Sequence, residues 1–368
     1  MSSNTLQSKG SRKVYIDAMR ILAAFFVIFN HTRTNGFFLF AEREWGSPAF
    51  WIYMFFSIFC KVSVPLFLMI SGALMLHRDD EPLCVLWKKR IGKILLIILV
   101  FTVGNYAFDW FRLQKSSDLA KVLKTICSGN IESYYFWCGH LWYLYAYIGY
   151  LCCLPFLRSL VKNLKNQYFF YMIGIVLVIQ GIIPAAEYLM GNQISFNGSM
   201  QPGWLASQIV VYPCIGYFLE HRITVRKRDL LWLWMANFAA IALTGLLIYK
   251  EALATQVLNA EVSQGFHSIF VLINCITVFL TAKYCFTNFR IPGWLQTAIV
   301  SLGQCTFGIY LIHIMIQESE PIKNLLVFLV MYVNSLLACF IQCGCVMMIG
   351  YVIVLVLRKV PLLGKLLS

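Results

Sequence analysis

The sequence predicts an all-α protein, a polytopic integral membrane bundle of about ten transmembrane helices with N- and C-termini cytoplasmic. Three observations predict it. First, 60% of the 368 residues are hydrophobic and only 12% charged, with a mean hydropathy of +0.72, which is more apolar surface than a soluble domain can hide. Second, the apolar residues fall in repeated runs of about 18 or more, the length that crosses hydrocarbon as a helix, and none alternates in the ten-residue manner of a barrel strand. Third, the cations are sorted by loop. Twenty of the thirty lysines and arginines fall on one side of the predicted spans and eight on the other, with Arg20 and Lys61 inside spans. The positive-inside rule makes the rich side cytoplasmic.

The predicted spans are 14–33, 48–76, 90–111, 139–157, 167–189, 203–220, 229–249, 266–286, 298–317 and 328–357. The second and last are long enough to tilt or break. An odd number of spans would destroy the charge asymmetry, so the even count and the asymmetry support each other. Residues 1–13 are then a cytoplasmic N-terminal tail, 14–357 a single membrane domain and 358–368 a cytoplasmic C-terminal tail. The first thirteen residues are polar, and the apolar stretch after them carries charges and lacks a small-residue cleavage site, so a cleavable signal peptide is not expected. The formal net charge of +14 sits in loops, where it sets topology and contacts lipid headgroups; a nucleic-acid partner is not expected. The thirteen cysteines fall mostly inside spans, with no Cys-x-x-Cys pair and no zinc spacing, and read as packing residues. No metal site is expected.

The polar residues inside the spans are the informative ones. The first span carries Asp17, Arg20 and His31, each costly in hydrocarbon unless paired or facing a cavity. Arg20 and His31 are eleven residues apart, which puts them within about 20° of each other around the helix and roughly 16 Å apart along it. Asp17, three residues before Arg20, can pair with the guanidinium. A structural ion pair with an interfacial histidine is the plainer reading; a fixed cation with a proton acceptor three turns further on is the sharper one. The first span runs outward, so His31 lies near the outer surface. The fourth runs inward from His140 and the ninth outward to His313, so three histidines converge on the outer half of the bundle from three helices. His77 and His221 fall in cytoplasmic loops and His267 at a span edge.

Around His140 the run from Tyr134 to Tyr150 is dense in aromatics. An aromatic belt at the headgroups accounts for part of it, and rings such as Trp142 and Tyr143 are also what line sugar-binding sites. Residues 113–133 are polar and mildly amphipathic, as in a helix lying on the outer surface. In the second span Lys61 must face inward or snorkel, Pro65 and Gly72 weaken the helix, and Ser71 can bond back to a freed carbonyl. On the cytoplasmic side Lys88, Lys89, Arg90 and Lys93 cluster at the mouth of a helix. Such a cluster sets topology or touches headgroups, or else holds a polyanion.

The stretch IDAMRILAAFFVIFNH resembles the opening helix of the acyltransferase-3 family of integral-membrane acyltransferases, whose hallmark is Arg-x10-His, here Arg20 and His31. SVPLFLMISGALML (63–76), KKRIGK (88–93), GHLWYL (139–144) and CTFGIYLIH (305–313) resemble further stretches of that family in its order. The chain departs from the family pattern at Leu68, where Phe is common, and in the basic motif, where Arg90 and Lys93 stand for a pair of arginines.

The resemblance implies an O-acetyltransferase-like enzyme of the bacterial cytoplasmic membrane. It would move an acyl group, typically acetyl, from cytoplasmic acetyl-CoA or another acyl-CoA to a hydroxyl of an extracytoplasmic glycan or other cell-envelope acceptor. The catalytic residues implied are His31 as general base, Arg20, and Asp17 fixing Arg20. Lys88, Lys89, Arg90 and Lys93 would hold the donor's phosphates. His140, Trp142, Tyr143, His313, Lys61 and Ser71 are the candidates for the substrate side. One thioester carbonyl cannot touch both Arg20 and His31, so the pantetheine arm threads past Arg20 toward His31, or the acyl group is relayed through a covalent histidine intermediate; threading needs no second nucleophile. A competing class is a transporter of a small polar or saccharide substrate, since a polar stripe, a mid-membrane lysine and a breakable span also describe a pathway.

Overall fold

The computed structural model describes residues 13–113, 119–128, 136–191, 197, 203, 207–256 and 269–367, and among these all regular structure is helical. Eight helical stretches are long and apolar enough to cross a membrane: Pro48–Met75, Leu83–Phe108, Gly139–Asn163, Asn166–Leu189, Lys227–Thr255, Val271–Asn288, Gly293–Gln317 and Ser335–Leu357. Two further helices, α1 (Val14–Asn30) and Gln208–His221, have 17 and 14 described residues and lie in the interior of the bundle.

α1 is the central element. It packs most extensively on Gly293–Gln317, and also on α3 (Ser63–Met75), Val271–Asn288 and Ser335–Leu357. Tyr15, Ile16, Met19, Ala23, Ala24 and the run Phe26–Phe29 are all buried on it. A helix buried on most of its surface, with its few polar groups paired, is a core helix and not a surface one. It ends three residues earlier than the sequence predicts. His31 is its C-cap, and Arg33 just beyond has φ of 52°. That left-handed conformation usually goes to glycine at a helix end. Here Thr32 Oγ1 fixes the turn, donating to the Phe29 carbonyl (2.7 Å) and accepting from the Phe37 N–H (2.9 Å).

The second predicted span does break. α2 (Pro48–Phe59) and α3 are separated by a 3-10 turn at Cys60–Val62. Ser47 caps α2 by accepting from the Phe50 N–H, with Pro48 in the first position, where its missing N–H costs nothing. The break lies upstream of where the sequence puts the weakness. Pro65 falls in the first turn of α3 and frees no intrahelical carbonyl, and Ser71 Oγ donates to its own i−4 carbonyl on Phe67 (2.9 Å). Gly72 does not weaken α3 either. A Cβ there would overlap the Pro213 carbonyl, and one at Gly216 would overlap the Met69 carbonyl. These two glycines let α3 cross α9 (Gln208–His221) with backbones touching, the small-residue contact that membrane helices use.

The remaining helices wrap this core. They are α4 (Gly92–Leu113), α5 (Leu119–Ser128), α6 (Trp142–Asn163), α7 (Asn166–Leu177), α8 (Ile183–Leu189), α10 (Lys227–Thr255), α11 (Val271–Asn288), α12 (Gly293–Gln317), α13 (Glu320–Val330), α14 (Ser335–Leu357) and α15 (Pro361–Leu367). The last predicted span, 328–357, is corrected. α13 ends at Val330, and α14 starts afresh at Ser335 under the Asn334 cap, whose Oδ1 accepts from the Leu337 N–H (2.9 Å). The polar segment 113–133 is helical over its described part, where the Ile126 carbonyl accepts from the Tyr145 hydroxyl (3.0 Å); the rest of it, and His267, lie outside the described residues. A polar knot ties α1 to α9. Buried Glu220 accepts from the Tyr15 hydroxyl (2.5 and 2.6 Å) and from Lys13, while the Lys283 ammonium donates to the carbonyls of Leu219, Glu220 and Ile223.

Candidate active site

Three helix ends bring three imidazoles together. His31 caps α1, His140 lies in the 3-10 turn Phe136–Leu141 that leads into α6, and His313 is fully buried on α12. The ring centroids of His31 and His140 are each 5.1 Å from that of His313, and 6.4 Å from each other.

Backbone carbonyls set the tautomers, since a carbonyl can only accept. His31 Nδ1 is 2.7 Å from the Val27 carbonyl, so Nδ1 carries the proton and Nε2 the lone pair. His313 Nδ1 is 2.7 Å from the Tyr310 carbonyl, so its Nε2 is the acceptor, and it faces His31 Nδ1 at 3.3 Å. His140 donates through Nε2 to the Leu311 carbonyl (3.3 Å), and the Tyr310 hydroxyl donates to the His140 carbonyl (2.5 Å). The arrangement leaves His31 with a basic nitrogen, and with an acceptor behind it that can share the positive charge if that nitrogen takes a proton.

Below the cluster is a cavity of about 690 Å³. It is lined by the basic groups Lys89, Arg90, Lys93 and Arg358, by Arg20, Ser71, Tyr143, Tyr147, Gln304 and Thr306, and by Val27 and Tyr310, whose carbonyls hold the His31 and His313 rings. Basic groups on the lining and a histidine cluster one helical turn beyond it are the arrangement a long anionic ligand with a reactive far end requires.

Arg20 is half-buried and ion-paired with buried Asp17 (Nη1 to Oδ1, 3.1 Å). α12 is pressed so closely against this pair that a Cβ on Gly303 would overlap the Asp17 side chain. Lys89, Arg90 and Lys93 reach the cavity from the π-turn Leu86–Ile91 and the start of α4. Lys88 sits on the same turn but is exposed and outside the lining. Arg90 is already engaged, with Nε 2.7 and 3.0 Å from the two Glu81 carboxylate oxygens. Glu81 also accepts from Arg158 (3.5 Å), which is 2% exposed and donates in addition to the Met75 carbonyl (3.2 Å).

The predicted residues therefore separate. Arg20, Ser71, Lys89, Arg90, Lys93 and Tyr143 share the cavity, and His31, His140 and His313 share the cluster above it. Trp142 is exposed and in neither. Lys61 is also outside the cavity, its ammonium 4.5 Å from the Phe37 ring centroid. The sequence alone did not single out Tyr310, Tyr147, Arg358, Asn30 or Glu81. Tyr310 had a signal, since it stands one turn before His313 in CTFGIYLIH. Arg358 had none that distinguishes it from a topology cation.

A family model described as an acyltransferase domain matches residues 13–357, nearly the whole chain. No curated protein and no solved structure matches.

Proposed function

Because the chain belongs to the acyltransferase-3 family and is a membrane acyltransferase, we propose that it moves an acetyl group from cytoplasmic acetyl-CoA to a hydroxyl of an extracytoplasmic glycan or other cell-envelope acceptor, with His31 as general base. The observation that carries this reading is the single cavity lined by Lys89, Arg90, Lys93 and Arg358 and also by Val27 and Tyr310. The loop charge asymmetry supports a cytoplasmic position for its basic groups.

Lys89, Lys93 and Arg358 hold the donor's phosphates, and Arg90 joins them by exchanging its Glu81 contact for a phosphate. Arg20, fixed by Asp17, orients the arm as it passes. His31 Nε2 takes the proton from the acceptor hydroxyl as the new C–O bond forms at the thioester carbonyl. The tetrahedral intermediate expels the coenzyme thiolate, which takes that proton from His31. While His31 is protonated, its Nδ1–H stays on the Val27 carbonyl (2.7 Å), and the His313 Nε2 lone pair, at 3.3 Å, supports the charge as a second and longer acceptor without a carboxylate. Threading past Arg20 suits the cavity, which passes Arg20 before reaching the turn below His31.

Incubating purified protein with radiolabelled acetyl-CoA tests the reading. Saturable binding with slow hydrolysis is the expected result in the absence of acceptor. Neither binding nor hydrolysis would sink it and favour a protein that moves its substrate unmodified.

A further inference from the structure

Lys61 is a cation held beside the proposed base. Asn30, the residue before His31, grips both ends of the 3-10 turn that carries Lys61. Its Nδ2 donates to the Cys60 carbonyl (3.3 Å) and the Ser63 hydroxyl (3.0 Å), and its Oδ1 accepts from the Cys60 thiol (3.2 Å). The backbones at His31 and Lys61 are therefore pinned next to each other. The Lys61 ammonium is half-buried against Phe37, a ring fixed in turn by the bond from its N–H to Thr32. Lys61 and Arg33 both place a positive charge near His31. Among the described residues no carboxylate lies within ion-pair distance of Lys61. A ring face offsets only part of the cost of withdrawing an ammonium from water. Asn30 commits its side chain to holding the turn in place, so the lysine is carried on a fixed backbone beside His31.

We propose that Lys61 anchors an anion subsite for the acceptor, so that the substrate is an acidic glycan whose carboxylate or phosphate meets Lys61 while a neighbouring hydroxyl meets His31 Nε2. This rests on the reading of His31 as the base, and it adds the acceptor's chemical class. An ammonium is a point charge without the planar fork of a guanidinium, so it takes either anion, and the experiment separates the two.

The full chain in nanodiscs is titrated by calorimetry with three matched probes: D-glucuronate, D-glucose 1-phosphate and D-glucose. At least one anionic probe binds about tenfold or more tighter than glucose, which is about 1.4 kcal/mol; whichever anion binds tighter identifies the group the subsite takes. Lys61→Gln brings the ratio close to one, and Lys61→Arg retains the preference. Equal binding of the three probes, no detectable binding of either anion, or a preference that survives in Lys61→Gln overturns the inference. Acetyl-CoA is titrated into the same preparation. If acetyl-CoA binds and the probes show no preference, the acidic-acceptor inference alone fails. If acetyl-CoA does not bind, the acyl-transfer reading fails and takes this inference with it.

Discussion

Replacing His31 and His313 separately and together measures how the two imidazoles divide the work. A general base contributes about 10²–10⁴-fold, and each factor of ten is about 1.4 kcal/mol of barrier, so His31→Ala should cost about 3–5 kcal/mol in the chemical step. His313 acts only through His31, by one N···N contact of 3.3 Å. A hydrogen bond to a charged group is worth about 1.5–3 kcal/mol, so His313→Gln should slow transfer by roughly 10–150-fold. The double variant should be no slower than His31→Ala, because removing the base removes what His313 supports. The assay is transfer of labelled acetyl to acceptor at saturating donor, beside donor binding by calorimetry, which none of the three should change more than a few-fold, since neither ring lines the cavity. His313 is fully buried, so thermal midpoints in detergent accompany the rates. Transfer within threefold of wild type in His31→Ala would refute the assignment of the base. Multiplicative losses in the double variant would refute the relay and point to independent roles.

Charge reversal in the basic cluster should divide along the cavity lining. Lys93→Glu or Lys89→Glu raises the KM for acetyl-CoA and flattens its salt dependence, because one attractive charge contact fewer is left for salt to screen, whereas Lys88→Glu, outside the lining, leaves it nearly unchanged; equal effects at all three would mean a diffuse field instead of a site. Gly303→Ala should force Asp17 from its place under Arg20 at an overpacking cost of about 1–3 kcal/mol, visible as a lower thermal midpoint together with weakened donor binding. A normal midpoint with normal binding would mean that α12 gives way harmlessly. Single cysteines at positions 20 and 31, in a background of reduced native cysteine, should label from opposite sides with an impermeant thiol reagent. Coenzyme A should protect position 20. If both label from the cytoplasm, acceptor and donor meet on one side.

The sequence reads some features of this molecule well and others poorly, for physical reasons. The histidine convergence was legible. Each histidine stands near one end of an apolar run, and the loop charges fix which end faces which way, so helix geometry alone brings them to one level. The break at Cys60–Val62 was only half legible. Its carbonyl finds a partner in Asn30, a side chain thirty residues away, and no local rule anticipates a donor from another helix. Trp142 shows a different limit. The aromatic run identifies the region, but the 3-10 turn Phe136–Leu141 resets the rotation, so which ring faces the cavity cannot be counted forward from His140. Arg158 reads as one more loop cation. Only packing reveals it as a buried arginine sharing Glu81 with Arg90.

The crossing of α3 and α9 limits how the cavity can move. Where two backbones touch at Gly72 and Gly216, no side chain lies between them to change rotamer and take up a displacement. α9 is in turn tied to the foot of α1 through Glu220 and Tyr15. The walls that carry Arg20, Phe67 and Ser71 therefore behave as the fixed jaw of a vice. α6 contributes Tyr143, Tyr147 and Leu151 to the same space. Under the proposed reading, substitutions at Tyr143 and Tyr147 are where the donor chain length would change, while the same changes on α3 would cost the fold first.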